Sequence, residues 1–117
     1  MRVMVTGSRK WRDREAIRTA LADIHAVQVT LIHGDAPGAD QIAASEASLT
    51  YGWDVVPYAA DWERLGQAAG PVRNQEMVDT KPDVVFAFPG PGSVGTWDAV
   101  RRAQRAGIRV EVFGEHR

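Results

Sequence analysis

Five short runs rich in β-branched and aromatic residues punctuate the chain, at Val3–Thr6, Val27–Ile32, Trp53–Pro57, Asp83–Phe88 and Ile108–Phe113, and the segments between them carry helical periodicity. No other feature constrains the fold as strongly. The run DREAIRTALADIHA places Ile17, Leu21 and Ile24 on one stripe, with Asp13 positioned as N-cap. In ADQIAASEASLTYG, residues 39–52, Ala39, Ile42 and Ala43 face inward and Gly52 ends the helix. Pro71 suits the first turn of a helix over PVRNQEMVDT. The last helix, TWDAVRRAQRAG, takes Thr96 as N-cap, turns Trp97, Val100 and Ala103 inward and stops at Gly107; Arg101, Arg102 and Arg105 then form a solvated face. Strands alternating with helices predict an α/β fold, a three-layer sandwich with a five-stranded parallel sheet in the order 3-2-1-4-5 and helices on both faces. A chain of 117 residues predicts a single domain over 1–117.

In such a sheet ligands bind beyond the carboxyl ends of the strands, where the winding reverses. The chemically pointed residues gather on that rim. GSRKW (Gly7, Ser8, Arg9) follows strand one, HGDAPGAD (His33, Gly34, Gly38, Asp40) follows strand two, YAADW (Asp61, Trp62) follows strand three, and FPGPGSVGTWD (Pro89, Gly90, Gly92, Gly95, Thr96) follows strand four. The opposite rim, with turns such as HAVQ and RAGI, carries nothing comparable.

The glycine loop fits neither common nucleotide fingerprint. Gly90-Pro-Gly92-Ser-Val-Gly95 satisfies G-x-G-x-x-G, but the dinucleotide motif belongs on the first βα turn with an acid about 20 residues on, which here falls at Glu115, three residues from the end. A Walker A loop requires a Lys before Thr96, and that position is Gly95. The physical content survives: glycines let the backbone approach a guest, and the amides of Gly95, Thr96 and Trp97 at a helix start suit an anion. No cofactor is called for.

Composition removes other classes. The chain has no Cys, hence no thiolate metal site, disulfide or Cys nucleophile. His25, His33 and His116 lack ligand spacing, so no metal site is expected. Net charge is −1 with no basic run, so a nucleic-acid track is not expected. No stretch approaches the ~18 apolar residues of a membrane span, and no signal segment leads the chain, so a cytoplasmic protein is expected.

The motifs GSRKW, HGDAPGADQIA, ADW, AGPVRNQEM and FPGPGSVGTWD, in this order and spacing, resemble the SLOG superfamily of Rossmann-like domains, and within it the small stand-alone YspA-type branch. That resemblance implies binding of a nucleotide or nucleotide-derived small molecule. The superfamily's LOG ("lonely guy") phosphoribohydrolases release a base from a nucleoside 5′-monophosphate with an Arg in R-[KN]-x-x-M and a Glu in P-G-G-x-G-T-x-x-E. By position Arg73 matches the Arg, and Pro89, Gly90, Gly95 and Thr96 match the phosphate loop. The Glu position holds Ala99, and the nearest carboxylate is Asp98, so an enzyme of this type would rest on Arg73 and Asp98. The missing Glu favours a binding module. The resemblance also permits a homodimer, through the Ala-rich helix 39–51 or the Met77/Val78 face. DNA-processing protein A, which loads single-stranded DNA, shares a stretch like Gly34–Asp40 and the R-N helix, but the charge here gives it no basic stripe.

Read individually, Arg9 serves a phosphate or carboxylate, or else pairs with Asp35 or Asp40. His33, at the end of a buried strand, has the position of a core or supporting histidine. Asp40 either caps its helix or holds a ribose hydroxyl. Arg73 and Asn74 fall in a first helical turn, where an anion would offset an Arg beside the dipole's positive end. Trp11 and Trp62 are the stacking candidates, while Trp53 and Trp97 belong to the packing.

Overall fold

The structure, a computed structural model, describes residues 1–114. Its elements are β1 (Arg2–Gly7), α1 (Arg14–Ala22), β2 (Thr30–His33), α2 (Ala39–Ser45), β3 (Asp54–Pro57), α3 (Trp62–Leu65), α4 (Ala69–Asp79), β4 (Val84–Phe88), α5 (Val94–Arg105) and β5 (Arg109–Val112). All five strands are parallel, in the order β3-β2-β1-β4-β5, as the alternating pattern predicts. The central strands are near-continuous apolar runs because both their faces are covered: Val3, Met4 and Val5 in β1 and all of β4 are buried.

Alternation of side chains splits the core in two. Val3, Val5, Leu31, Phe86 and Phe88 pack against Ile17 and Leu21 of α1 and Ala39 and Ala43 of α2. Met4, Ile32 and Val85 face the other way, onto Met77 and Val78 of α4 and Ala99 and Ala103 of α5. Met77 and Val78 are therefore spent inside the chain and offer no dimer face; Ala39, Ala43 and Ala47 are equally buried.

Several boundaries differ from expectation, each for a physical reason. β2 starts at Thr30, where pairing with Arg2 of β1 begins; Val27 lies in a fully exposed turn. The helix over 39–51 widens after Ser45 into a π-helical turn, Glu46–Thr50, closed by the Tyr51 amide donating to the Glu46 carbonyl at 3.3 Å. This turn sets the buried Glu46 carboxylate against α1, where Arg14 (2.6 Å), Arg18 (2.9 Å) and the Thr50 hydroxyl (2.7 Å) all donate to it. Asp13 caps α1, accepting from the Ala16 amide at 3.0 Å. α4 begins at Ala69, so Pro71 sits inside its first turn, where a missing N–H costs nothing, and Arg73 falls in the second turn. α5 begins at Val94 after Ser93, so Thr96 is inside the helix and not its cap; the two hydroxyls are hydrogen-bonded at 2.5 Å. Trp97 is half-buried and outside both core clusters, whereas Ala99, Val100 and Ala103 are inward.

Candidate functional site

β1 runs into its loop beside the end of β4, with Gly7 level with Phe88. The Ser8 amide donates to the Phe88 carbonyl at 2.9 Å, and the Ser8 carbonyl accepts from Ala39 of α2 at 3.1 Å, so three loops are stitched at the point where the winding reverses. Side chains larger than hydrogen do not fit this junction. A Cβ on Gly7 would lie 2.5 Å from that of Ala39, and one on Gly38, whose φ is +77°, would press into the Ser8–Arg9 backbone. Gly38 thereby serves as the residue before α2, not as a wall of the site.

A cleft of about 690 Å³ opens at this rim. Of the residues singled out from sequence, Gly7, Ser8, Arg9, Gly34, Asp40, Trp62, Arg73, Asn74, Gly92, Gly95, Thr96 and Asp98 line it. Five do not. His33 is buried beneath the Gly34 loop, its Nδ1 accepting from the Asp35 amide at 2.9 Å, and burial holds it below its ordinary pKa, so it is a neutral support. Asp61 caps α3, accepting from the Arg64 amide (3.2 Å) and guanidinium (3.0 Å). Gly38 turns into α2, Pro89 is buried, and Gly90 packs against the Ser8 side chain. Trp11 is not a stacker for this cleft: it packs edge-on against Phe88 and donates to the Asp13 carbonyl at 2.9 Å. Glu115 and His116 lie outside the described residues.

At one end of the cleft the first turn of α5 presents its amides. Val94 donates to Gly92 and Trp97 to Ser93, leaving the Gly95 and Thr96 N–H groups without a backbone partner among the described residues. The amide of Trp97, expected to join them, is spent in the helix. Beside them Arg73 lies across Gly34, its guanidinium taking the place a Cβ there would occupy. Its Nη1 donates to the Gly34 carbonyl and, at 3.4 Å, to the Tyr58 carbonyl, and its Nε donates to Asn74 Oδ1 at 3.0 Å, which leaves Nη2 without a hydrogen bond among the described residues. Burial lowers its pKa from the ordinary arginine value, against the pull of Asp40, yet it remains a cation. Asn74 is buried and donates to the Gly95 carbonyl at 3.2 Å and to Asp98 at 3.0 Å, so it positions Arg73 and Asp98.

Asp98 is held rather than free. Arg102 donates to it at 2.9 Å, and Arg102 is in turn tied to Gln75 at 3.0 Å, so this arginine is not part of a solvated face. Burial works to raise the Asp98 carboxyl, but the hydrogen bonds from Arg102 and Asn74 and the charge of Arg102 outweigh it, and the group is ionised near neutrality. Ala99, at the position of the LOG glutamate, is fully buried in the core.

Asp40 does not cap α2. It lies in that helix's first turn with Oδ2 reaching back to the amides of Gly34 (3.0 Å) and Ala36 (3.3 Å), which closes the loop. Its other oxygen, Oδ1, is buried without a partner, and desolvation pushes the carboxyl up to about 6. Trp62 lines the outer end of the cleft, half-exposed, beside Gly70 of α4 and with the Arg9 guanidinium 6.0 Å from its ring centroid. Arg9 makes no ion pair with Asp35 or Asp40 among the described residues.

Sequence reasoning missed Thr6, Lys10, Gln67, Ser93 and Arg101 on the cleft wall. Arg101 was findable, since Val94, Asp98 and Arg101 share the i, i+4, i+7 stripe that begins at the glycine loop. Gln67 was not, because the one-turn α3 that brings it there is too short to show a period. Among the described residues no cluster of three or more His, Asp or Glu side chains gathers for a metal, and no helix is long and apolar enough to cross a membrane.

A parallel sheet wound both ways from β1, with glycine loops and an unfilled helix start at its switch point, defines a Rossmann-like domain. The chain belongs to the YspA, cpYpsA-related SLOG family, whose model matches residues 1–65. It is 46% identical over 121 residues to the Gene 61 protein of Mycobacterium phage D29, covering 97% of both chains. Among solved structures it is similar to DNA processing protein A from Streptococcus pneumoniae, with a TM-score of 0.78 at 17% identity; the match covers 98% of this chain and about half of that one (50%), and what it shows is the fold.

Proposed function

We propose that the chain is a single SLOG domain that binds a nucleotide or nucleotide-derived small molecule in this cleft, phosphate toward α5 and base toward Trp62. One observation carries the reading. The unpartnered amides of Gly95 and Thr96, the free Nη2 edge of Arg73 and the side chains of Arg9, Lys10 and Arg101 border one cavity that also contains an exposed aromatic face. Amides at a helix start and arginine forks bind phosphate oxygens, and a half-exposed indole offers a surface on which a base stacks. The volume suits a mononucleotide or a small dinucleotide, within the ordinary range for small-molecule sites.

A thermal-shift panel of mono-, di- and cyclic nucleotides tests this. A ligand at 100 times its Kd adds about 2.7 kcal/mol, or roughly 10 °C for a domain of this size. Arg9→Ala and Trp62→Ala, both at exposed positions, are expected to reduce the shift without lowering the melting temperature of the free protein. No shift with any nucleotide would overturn the proposal.

A second reading, hydrolysis of the N-glycosidic bond of a nucleoside 5′-monophosphate, draws support from Asp98, an ionised carboxylate on the same wall. Such a group would stabilise positive charge developing on the ribose. One of its oxygens, Oδ2, is committed to Arg102 and Asn74, and the position that the LOG resemblance matches to the glutamate is sealed in the core, so binding without turnover is the reading we prefer. Incubation with AMP and chromatography for free adenine separates the two. Asp98→Asn must abolish any release seen if hydrolysis is real.

A further inference from the structure

One polar atom at the cleft is left without a partner by the fold itself. Asp40 is buried, 4% exposed, and lines the cavity; Oδ2 is occupied by two backbone amides, and Oδ1 is the one buried side-chain oxygen or nitrogen among the described residues with no hydrogen bond. A carboxylate in this state accepts strongly and cannot donate, so it selects for a donor. Along the rim the β4 loop with the Gly95 and Thr96 amides comes first, then the β1 loop, then the β2 loop with Asp40, while α3, after β3, carries Trp62 back beside Arg9 and Gly70. Asp40 lines the same cavity as these amides and Trp62, within the span a nucleotide covers when its phosphate meets the amides and its base the indole.

We infer that Asp40 is the specificity-determining acceptor of this cleft, taking a hydrogen bond from a ribose hydroxyl and so selecting ribonucleotides over deoxyribonucleotides. The inference rests on the nucleotide reading above and narrows it to one sugar class. Oδ1 is screened from water in the free protein, so a hydroxyl reaching it has to displace a neighbour. The Arg73 guanidinium, lying across Gly34, is attracted to Asp40. The charged groups that act on Asp40 are Arg73 from α4 and Asp35 from its own loop.

The test is isothermal titration of the protein with AMP, GMP, CMP and UMP and with their 2′,3′-dideoxy counterparts. The ribonucleotide that binds is expected to bind at least about 10-fold more tightly than its dideoxy partner, the discrimination typical of a hydrogen bond to a charged group. Asp40→Asn keeps one oxygen for the Gly34 and Ala36 amides while replacing the free acceptor with a donor. It is expected to bind both sugars within about 3-fold of each other. Equal affinities in the wild type, or an undiminished ratio in Asp40→Asn, would overturn the assignment while leaving the nucleotide reading intact; absence of binding by every monophosphate would overturn both. Where Asp40→Asn does not fold, the wild-type ratio is measured at pH 7.5 and pH 5: a smaller ratio at pH 5, as the carboxyl takes its proton, supports the role, and an unchanged ratio overturns it.

Discussion

Asp40 costs the free protein stability, and the sign of that cost is open to measurement. Its folded pKa, raised by burial to about 6, exceeds the ordinary 3.8 despite the opposing amides of Gly34 and Ala36 and the charge of Arg73. The neutral acid is the form the fold prefers. Its contribution is fully present below about pH 4, is lost as pH rises through 6, and amounts to a penalty on the order of 3 kcal/mol at neutral pH. Denaturant melts of the wild type should therefore weaken from pH 4 to pH 7 relative to Asp40→Asn, which cannot ionise; identical slopes in the two proteins would show the carboxyl is not buried as described. Gly34 makes a companion case. A Cβ there would lie 2.7 Å from the Arg73 Cζ, so Gly34→Ala should push the guanidinium off its seat, weakening nucleotide binding more than 10-fold while costing about 1–2 kcal/mol of stability in urea melts. The role of Gly34 was not readable from its residue type, and for Asp40 the sequence left a helix cap and a ribose hydroxyl both open. Asp40 at a helix start is indistinguishable from a cap until the chain closes back on Gly34, six positions earlier, and Asp35 adopts a φ of +57° to allow it.

At the level of elements, what could be read and what could not follow from range of interaction. The strands and the four longer helices were legible because their burial is periodic and local, and Asp13 was legible as a cap because capping spans three residues. The one-turn α3 and the π-helical turn at Glu46–Thr50 have no sequence period, since each exists to satisfy a contact elsewhere. The start of α5 slipped as well: the sequence reading took Thr96 as the cap, whereas the helix begins at Val94 after Ser93. The π-helical turn yields its own prediction. Hydrogen bonds from Arg18, then Arg14 and Thr50, hold the Glu46 carboxyl well below its usual range, at about 2. A depressed pKa contributes stability above the ordinary glutamate value that is lost as pH falls toward 2, opposite in direction to Asp40. Glu46→Gln should flatten the melting temperature between pH 4.5 and 2. At pH 7 it should cost only about 1 kcal/mol, because Arg14 and Arg18 are half-exposed and return to water. A wild-type acid limb that persists in Glu46→Gln would assign it to other carboxylates.

Over the whole molecule a net charge of −1 conceals an uneven distribution. Arg9, Lys10, Arg73 and Arg101 share one cleft, and none of them forms an ion pair among the described residues, whereas Arg14, Arg18, Arg64, Arg102 and Arg109 are matched with acids. Cations left unmatched around a concave surface focus potential inward and raise the local concentration of anions. The four differ in exposure, and that difference separates two electrostatic functions. Arg9, Lys10 and Arg101 stand in solvent, where attraction is screened over about 10 Å at 0.1 M salt and about 3 Å at 1 M. Arg73 is half-buried against Gly34 and feels salt far less. Affinity for the bound nucleotide should thus fall with sodium chloride between 50 and 500 mM. Arg9→Ala combined with Lys10→Ala should remove most of that slope, with only a modest loss of affinity at high salt. Arg73→Lys should do the reverse, lowering affinity about 10-fold at every salt concentration with the slope preserved, because a point charge replaces a fork already pinned to Gly34 and Asn74. Parallel salt curves for the wild type and the double variant would mean that the outer cations take no part in capture, and that the cleft recognises its guest by the amides of α5 and Arg73 alone.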